Sequence, residues 1–318
     1  MPAPTPSPDQ REPEVTESRP ARPAWPPVVG VCGPSGSGKT LLVSRLVERL
    51  TAGGLRLATI KHCSHRLDVD RPDKDSDRLF RAGTDVLAAG PAETLLRLHV
   101  APRDGEERAG MTLGDCLASL PADRHLVLVE GYREMSPPQI CLEAGPDDAD
   151  EEAVRARVED LLDSAEAMAW DEAKRVHASL PLLVVLLQEG VAPGVRVGHG
   201  EASANGPHGV RLLPAVDAAG PLAGILSALR WQPKARWLAT TVDPSPPDRS
   251  RIDAMLAHSR PGVDAVLPAL DGPTGRGPLL GLFEPTARPF LERAAVRGIR
   301  SVGRALADAQ VVRPSIGL

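Results

Sequence analysis

The segment that most constrains the fold is the glycine-rich run at residues 33–40, Gly-Pro-Ser-Gly-Ser-Gly-Lys-Thr. It fits the pattern G-x-x-x-x-G-K-[ST], a loop whose backbone N–H groups surround nucleotide phosphates. The apolar residues at 28–32 predict a buried strand before it, and the leucines and valines of residues 41–50 follow at helical spacing. Strand, loop and helix in this order predict an α/β domain that binds a nucleoside triphosphate.

Each residue type in the loop suits a chemical role. Glycines let the backbone curl until successive N–H groups face one anion, and the following helix adds its positive N-terminal end. We expect Lys39 to reach the outer phosphates and the Thr40 hydroxyl to ligate a Mg²⁺ that bridges them. The predicted nucleotide-binding residues of the loop are Gly33, Pro34, Ser35, Gly36, Ser37, Gly38, Lys39 and Thr40.

Composition narrows the class of protein and of partner. A chain of 318 residues is comfortable for two domains, and its net charge of −5 provides no basic surface for nucleic acid or an anionic membrane. The longest apolar run, within residues 180–187, is far shorter than the roughly 20 residues of a membrane helix. Four widely spaced cysteines without C-x-x-C indicate neither a disulfide framework nor a zinc ribbon, so we expect a cytoplasmic protein.

Composition also shifts along the chain. Residues 1–27 hold nine prolines and few aliphatic side chains, which predicts a disordered tail. We predict a P-loop domain with a mostly parallel sheet at 28–144, and a solvated acidic helix as connector at 145–175. Apolar stretches separated by proline- and glycine-rich turns predict a second α/β domain at 176–318.

Two further predicted strands, residues 55–60 and 126–129, end in polar residues. The carboxyl ends of parallel strands meet at one edge of a sheet, so we expect Glu130 and the segment after Ile60 to approach the nucleotide. Glu130 is a candidate to hold Mg²⁺ or to orient water, and with Lys39 it forms the predicted catalytic pair. The predicted metal ligands are therefore Thr40 and Glu130, with Asp68 and Asp70 as further candidates.

The polar segment after Ile60 is compatible with several different functions. Lys61 and His62 are candidate nucleotide contacts, but the whole segment also suits a charged surface loop. A zinc site built on His62, Cys63 and His65 lacks a fourth ligand and a second cluster at ligand spacing. Hard cations prefer oxygen, which favours Mg²⁺ at the aspartates.

The first half carries an extended set of positions besides the phosphate loop: Val29–Val31, Ile60–His62, His65, Asp68–Asp70, Pro72, Lys74–Ser76, Ala82–Gly83 and Leu126–Gly131. In these positions it resembles the MobB family, the adaptor proteins of molybdopterin-guanine dinucleotide biosynthesis. The resemblance implies that the protein binds GTP, hydrolyses it slowly at most and forms a homodimer. It also implies two further partners, which are molybdopterin or its molybdenum form and the guanylyltransferase MobA, which the protein would assist. This chain has Asp73 at a position where the family usually has glycine. It contains no [NT]-K-x-D motif, which would recognise the guanine base, so the expectation of GTP rests on the resemblance alone.

The second half resembles, over part of its length, the MobA guanylyltransferase family. The segments that carry this resemblance are Gly220–Ile225, Trp237–Asp243 and Gly277–Phe283. The family's opening glycine-rich, basic loop is missing, so charge on a leaving pyrophosphate would lack its main stabiliser. We therefore expect a degenerate nucleotidyltransferase-like domain without transfer activity, while Asp243 remains a candidate metal ligand.

Two other functions remain open at this point. The chain could be a P-loop kinase of small molecules that uses ATP, with the Lys61 segment holding the acceptor. It could also be a bifunctional transferase whose second half still moves GMP, which requires a second nucleotide site in each chain.

Overall fold

A computed structural model describes most of the chain from Pro26 onward. The described residues are 26–63, 67, 69–100, 110–132, 138–143, 150–187, 195–199, 210–212, 215, 217–241, 249–269 and 280–315. The predicted tail lies outside them except for its last two residues, as do His65, Asp68 and Asp243. Within the described residues, no helix has both the length and the hydropathy needed to cross a bilayer.

The first half alternates strands and helices in the order expected for an α/β domain. Its elements are β1 (Val28–Cys32), α1 (Lys39–Ala52), β2 (Leu57–Lys61), α2 (Asp75–Arg81), β3 (Val86–Ala89), β4 (Thr94–Arg97), α3 (Leu113–Ser119), β5 (Leu126–Glu130) and β6 (Gln139–Cys141). The main sheet has the order β2-β5-β1-β6, and all its pairs are parallel. The prediction of an α/β fold with a parallel sheet is therefore confirmed for this half.

Both faces of this sheet are covered, which explains why its central strands are apolar along most of their length. Side chains alternate between faces along a strand. Val29, Val31 and Leu128 face α1, whereas Val127 and Val129 face the side of α3. A separate antiparallel pair, β3 with β4, follows α2.

The long helix α4 (Glu151–Ser179) belongs to the core of this half. Val158, Leu162 and Ala169 are fully or almost fully buried and pack in the same cluster as the apolar face of α1. The prediction of a solvated connector at residues 145–175 is therefore wrong for the face of α4 that packs on α1. Most of the acidic residues that suggested solvation occupy the outer surface, where Arg49 of α1 pairs with Asp163 at 2.5 Å, whereas Glu172 is buried.

The second half forms a mixed sheet with helices around it. Its elements are β7 (Leu182–Leu187), β8 (Val195–His199), β9 (Val210–Leu212), α5 (Pro221–Trp231), β10 (Arg236–Thr241), α6 (Arg249–Leu256), β11 (Ala265–Val266), β12 (Leu280–Phe283), α7 (Arg288–Val296), α8 (Val302–Ala305) and β13 (Val311–Val312). The sheet order is β13-β11-β12-β10-β7-β8-β9, and only β10 with β7 and β11 with β13 are parallel. Trp237 and Phe283 are fully buried at its centre.

A buried ionic cluster joins the two halves. Arg56, just before β2, donates from Nη1 to Asp264 Oδ2 at 2.9 Å and from Nη2 to Oδ1 at 2.5 Å. His125, just before β5, lies 3.4 Å from the same carboxylate. Asp264 is fully buried, so the second half docks at the amino-terminal ends of β2 and β5. These are the ends opposite to the predicted nucleotide site.

Two cysteines also come together across the first sheet. Cys32 ends β1 and Cys141 ends β6, and their sulfurs are joined as a disulfide with Cα atoms 4.7 Å apart. The wide spacing of the four cysteines indicated no disulfide framework, and it gave no sign of this single disulfide. A separation of 109 residues in the chain is removed when β1 and β6 become neighbours.

Candidate functional site

The phosphate loop connects the end of β1 to the start of α1. Gly33 stands against β6, because a Cβ there would lie 2.8 Å from the carbonyl oxygen of Leu142. Gly38 has φ +92°, in the region that favours glycine, and a Cβ would meet Val154 and Val158 of α4 at 2.9 Å. The loop therefore needs these glycines for its backbone conformation and for its close contact with β6 and α4.

Lys39 and Ser37 both bond within the loop. The Lys39 ammonium donates to the carbonyl oxygen of Pro34, and Ser37 Oγ donates to the same oxygen at 2.9 Å. Ser37 is almost fully buried, so its side chain helps to fix the loop. Lys39 is the first residue of α1, so its charge lies at the positive end of that helix.

Three side chains meet beside the loop, two of them predicted as metal ligands and the third as a nucleotide contact. Thr40 Oγ1 lies 3.1 Å from each carboxylate oxygen of Glu130. Lys61 Nζ donates to Thr40 Oγ1 at 3.1 Å and lies 3.2 Å from Glu130 Oε1. The cluster joins a hydroxyl, a carboxylate and an ammonium group.

The backbone of the parallel sheet places these residues together. Lys61 and Glu130 are register partners at the carboxyl ends of β2 and β5, and Glu130 is also the register partner of Val31 in β1. Thr40 then enters from the first turn of α1, one loop beyond β1. Glu130 is 8% exposed, so its carboxylate is held in place.

The turn after Glu130 has an unusual backbone. Tyr132 has φ +45°, a strained value for a residue with a Cβ, and its hydroxyl donates to the carbonyl oxygen of Met111 at 2.8 Å. Burial and a hydrogen bond with Cys116 raise the pKa of Tyr132 above its ordinary value, so the phenol stays protonated. The exposed His62 ring lies 4.5 Å from the Tyr132 ring, and the backbone N–H of His62 donates to the backbone carbonyl oxygen of Glu130 at 2.8 Å.

The aspartates predicted as further metal ligands are placed differently. Asp70 lies 3.0 Å from Arg97 Nη1, which also bonds Asp77 at 3.2 Å. A carboxylate that already neutralises a largely buried guanidinium is a poor ligand for Mg²⁺. Of the predicted ligands within the described residues, Thr40 and Glu130 lie in the cluster beside the loop and Asp70 does not, while Asp68 lies outside the described residues.

The backbone at Asp73 agrees with the resemblance noted above. Asp73 has φ +66°, the left-handed region that favours glycine, and the related family usually has glycine there. Aspartate tolerates this region better than most residues. Its N–H donates to Asp77 Oδ2 at 3.2 Å, which helps to hold the turn before α2.

The donor set beside the loop fits magnesium. Mg²⁺ prefers oxygen ligands and commonly takes one or two protein oxygens together with phosphates and water. The Thr40 hydroxyl and the Glu130 carboxylate are such ligands, at hydrogen-bond distance from each other. In the described parts of the chain, no group of three or more His, Cys, Asp or Glu side chains is arranged to hold a metal.

The strand–loop–helix geometry and the parallel sheet define an α/β domain of the P-loop class. Residues 28–160 match the family model MobB, described as molybdopterin guanine dinucleotide synthesis protein B. Over these residues the chain is therefore similar to the MobB family. The match continues into α4, which agrees with the packing of this helix on α1.

Curated relatives agree with this match. The molybdopterin-guanine dinucleotide biosynthesis adapter protein of Haemophilus influenzae is 33% identical over 121 residues, covering 36% of this chain and 62% of the relative. The adapter protein of the same name from Escherichia coli is 34% identical over 116 residues, covering 36% of this chain and 65% of the relative. The chain spans less than two thirds of the length of these relatives.

Solved structures add little at the level of geometry. A MobB protein homolog from Bacillus stearothermophilus is 27% identical over 38% of this chain and 66% of that one, with a TM-score of 0.28. Molybdopterin-guanine dinucleotide biosynthesis protein A from Archaeoglobus fulgidus is 28% identical over 31% of this chain and 48% of that one, with a TM-score of 0.27. Such low scores carry no argument, and the MobA-like character of the second half stays a prediction.

Proposed function

We propose that this protein is a GTP-binding adaptor in the formation of molybdopterin-guanine dinucleotide. The observation that carries the proposal is the Thr40–Glu130–Lys61 cluster beside a phosphate loop, within a domain that matches MobB. The relatives' names support the pathway, and the loop supports nucleotide binding. The partners we propose are GTP, molybdopterin or its molybdenum form, the guanylyltransferase and a second copy of this chain.

The residues of the site have distinct roles in this proposal. Backbone N–H groups of the loop and the Lys39 ammonium hold the phosphates, and Thr40 and Glu130 hold Mg²⁺. When bound, Mg²⁺ neutralises charge on the phosphate oxygens. Glu130 also orients water, but no arginine is assigned to stabilise charge on the γ-phosphate, so we expect hydrolysis to be slow.

The second half has a structural role in this proposal. Its Asp264 binds Arg56 of the first half, at the amino-terminal ends of the strands, whereas the phosphate loop lies at their carboxyl ends. From there it leaves the loop open to a partner enzyme. We propose that it is a degenerate relative of the guanylyltransferase that acts as a scaffold.

Calorimetric titration of the full-length chain with GTP and ATP in the presence of Mg²⁺ tests the function. We expect one GTP site per chain and much weaker binding of ATP. A preference for ATP would instead favour the small-molecule kinase, and two GTP sites per chain would favour an active transferase in the second half.

A further inference from the structure

The ammonium group of Lys61 contacts both side chains that we assign to the metal. Lys61 Nζ is 3.1 Å from Thr40 Oγ1 and 3.2 Å from Glu130 Oε1. Thr40 Oγ1 and Glu130 are themselves 3.1 Å apart. The Lys61 ammonium group therefore contacts the same oxygen atoms that we assign as ligands of Mg²⁺.

The two ends of this ion pair differ in mobility. Glu130 is fixed, because it is buried at the end of a central strand with a parallel neighbour on each side. The Lys61 side chain is 51% exposed and carries its charge on a flexible four-carbon stem. The carboxylate must stay where it is, whereas the ammonium group has room to leave.

We propose that Lys61 is an internal counter-cation that competes with Mg²⁺ for Thr40 and Glu130, and thereby sets the Mg²⁺ concentration at which the metal joins the bound nucleotide. The proposal rests on the nucleotide binding proposed above. Mg²⁺ requires its oxygen ligands at about 2.1 Å in near-octahedral geometry. An ammonium group that donates to the same oxygens must withdraw before the metal reaches them.

The strength of the pair sets the size of the expected effect. Partly exposed ion pairs contribute modestly, and the loss of one shifts a competing equilibrium by about two- to fivefold. Lys61→Met keeps most of the apolar stem and removes the charge. It should lower the midpoint for Mg²⁺ by that factor, whereas the matched variant Lys61→Arg retains a cation and should stay close to wild type.

The measurement is a titration of Mg²⁺ into the full-length chain with a fluorescent GTP analogue, for wild type, Lys61→Met and Lys61→Arg. A lower midpoint in Lys61→Met alone supports the competition. An unchanged or higher midpoint in Lys61→Met overturns it. If metal-free nucleotide also binds more weakly in that case, Lys61 is a phosphate ligand only.

Two further measurements separate this proposal from the proposed function. Mn²⁺ alone, followed by electron paramagnetic resonance, should bind Lys61→Met more tightly than wild type, even if no nucleotide binds to either protein. Unchanged Mn²⁺ affinity would contradict the competition. In a Glu130→Gln background, Lys61→Met should add no further shift, because the carboxylate that both cations need is gone, and a further shift of the same size would contradict the competition. If Lys61→Met folds poorly, Lys61→Gln takes its place in each comparison.

Discussion

At the scale of single residues, the sequence motif and the contacts agree best in the phosphate loop. Lys39, Thr40 and Glu130 were predicted from the motif and from the ends of strands, and two of them contact each other directly. Lys61 was predicted as a nucleotide contact. Its pairing with Glu130 depends on the register of β2 with β5, which the sequence does not specify.

Lys39→Ala is expected to weaken GTP binding by at least about tenfold, because a hydrogen bond to a charged phosphate is lost. Calorimetric titration measures the effect. Lys174→Ala is the matched control, because it removes an exposed lysine of α4 whose ammonium lies 3.7 Å from Asp171. Equal affinities of Lys39→Ala and wild type would contradict the assignment of the loop.

Asp70→Asn is expected to leave the Mg²⁺ midpoint of GTP binding unchanged, because Arg97 already neutralises this carboxylate. The substitution should instead lower the free energy of unfolding by about 1–2 kcal/mol, since Arg97 loses one of its two carboxylate partners and retains Asp77. Mg²⁺ titration and urea unfolding measure the two effects. A large rise in the midpoint would restore Asp70 as a metal ligand.

At the scale of elements, α4 differs most from its prediction. Its sequence is acidic, yet its apolar residues form a stripe that covers α1 and lies against the phosphate loop at Gly38. Charge composition describes the exposed face of a helix, whereas burial depends on the spacing of a few apolar side chains.

Leu162→Ala is expected to destabilise the protein by about 3 kcal/mol, because it opens a cavity at a side chain that is 1% exposed. Urea unfolding measures this change. Glu159→Ala, on the solvated face of the same helix, is the control and should change stability by less than about 0.5 kcal/mol. If the two variants were equally stable, α4 would not be part of the core.

At the scale of the whole molecule, the junction of the two halves depends on Asp264. Burial alone would raise the pKa of this carboxyl, but hydrogen bonds from His125 and Arg56 outweigh burial and hold the pKa below its ordinary value. The Asp264 carboxylate also accepts a hydrogen bond from the backbone N–H of Gln310, at 2.8 Å. The junction is therefore a buried charge network whose groups satisfy one another.

Asp264→Asn is expected to lower the free energy of unfolding by about 3 kcal/mol, because Arg56 loses its fully buried carboxylate partner and keeps the longer contact with Asp123, at 3.5 Å. Urea unfolding followed by tryptophan fluorescence measures the loss. Asp217→Asn breaks an exposed pair with Arg230 and should cost less than about 1 kcal/mol. Similar losses in both variants would show that burial adds nothing to the Asp264 pair.

The junction should also be sensitive to acid. Burial lowers the pKa of His125 below its ordinary value of 6.5, and Nδ1 of this ring accepts the backbone N–H of Arg56 at 2.9 Å. The unfolded chain therefore binds a proton at a higher pH than the folded one does, so stability decreases as the pH falls below about 6.5.

His125→Gln stays neutral at every pH, so it should remove part of this acid-induced loss. Unfolding of both proteins by urea between pH 7.5 and pH 5 measures the difference. An unchanged pH dependence in the variant would exclude His125 as its origin.

The sequence by itself determined those local elements whose own residues carry a recognisable pattern. The strand at Val28–Cys32, the glycine loop and α1 follow from neighbouring residues, as does the buried strand that ends in Glu130. Glycine spacing and apolar periodicity act over a few residues, so they are visible in any short stretch of chain.

Only the tertiary structure decided which distant residues meet. Arg56 and Asp264 are 208 residues apart in the chain, and Cys32 and Cys141 are 109 apart, yet each pair is in contact. The burial of the inner face of α4 and the contact of Lys61 with Glu130 also depend on the tertiary structure. These contacts follow from strand order and helix packing, which minimise exposed apolar surface over the whole chain and leave no local pattern at the residues concerned.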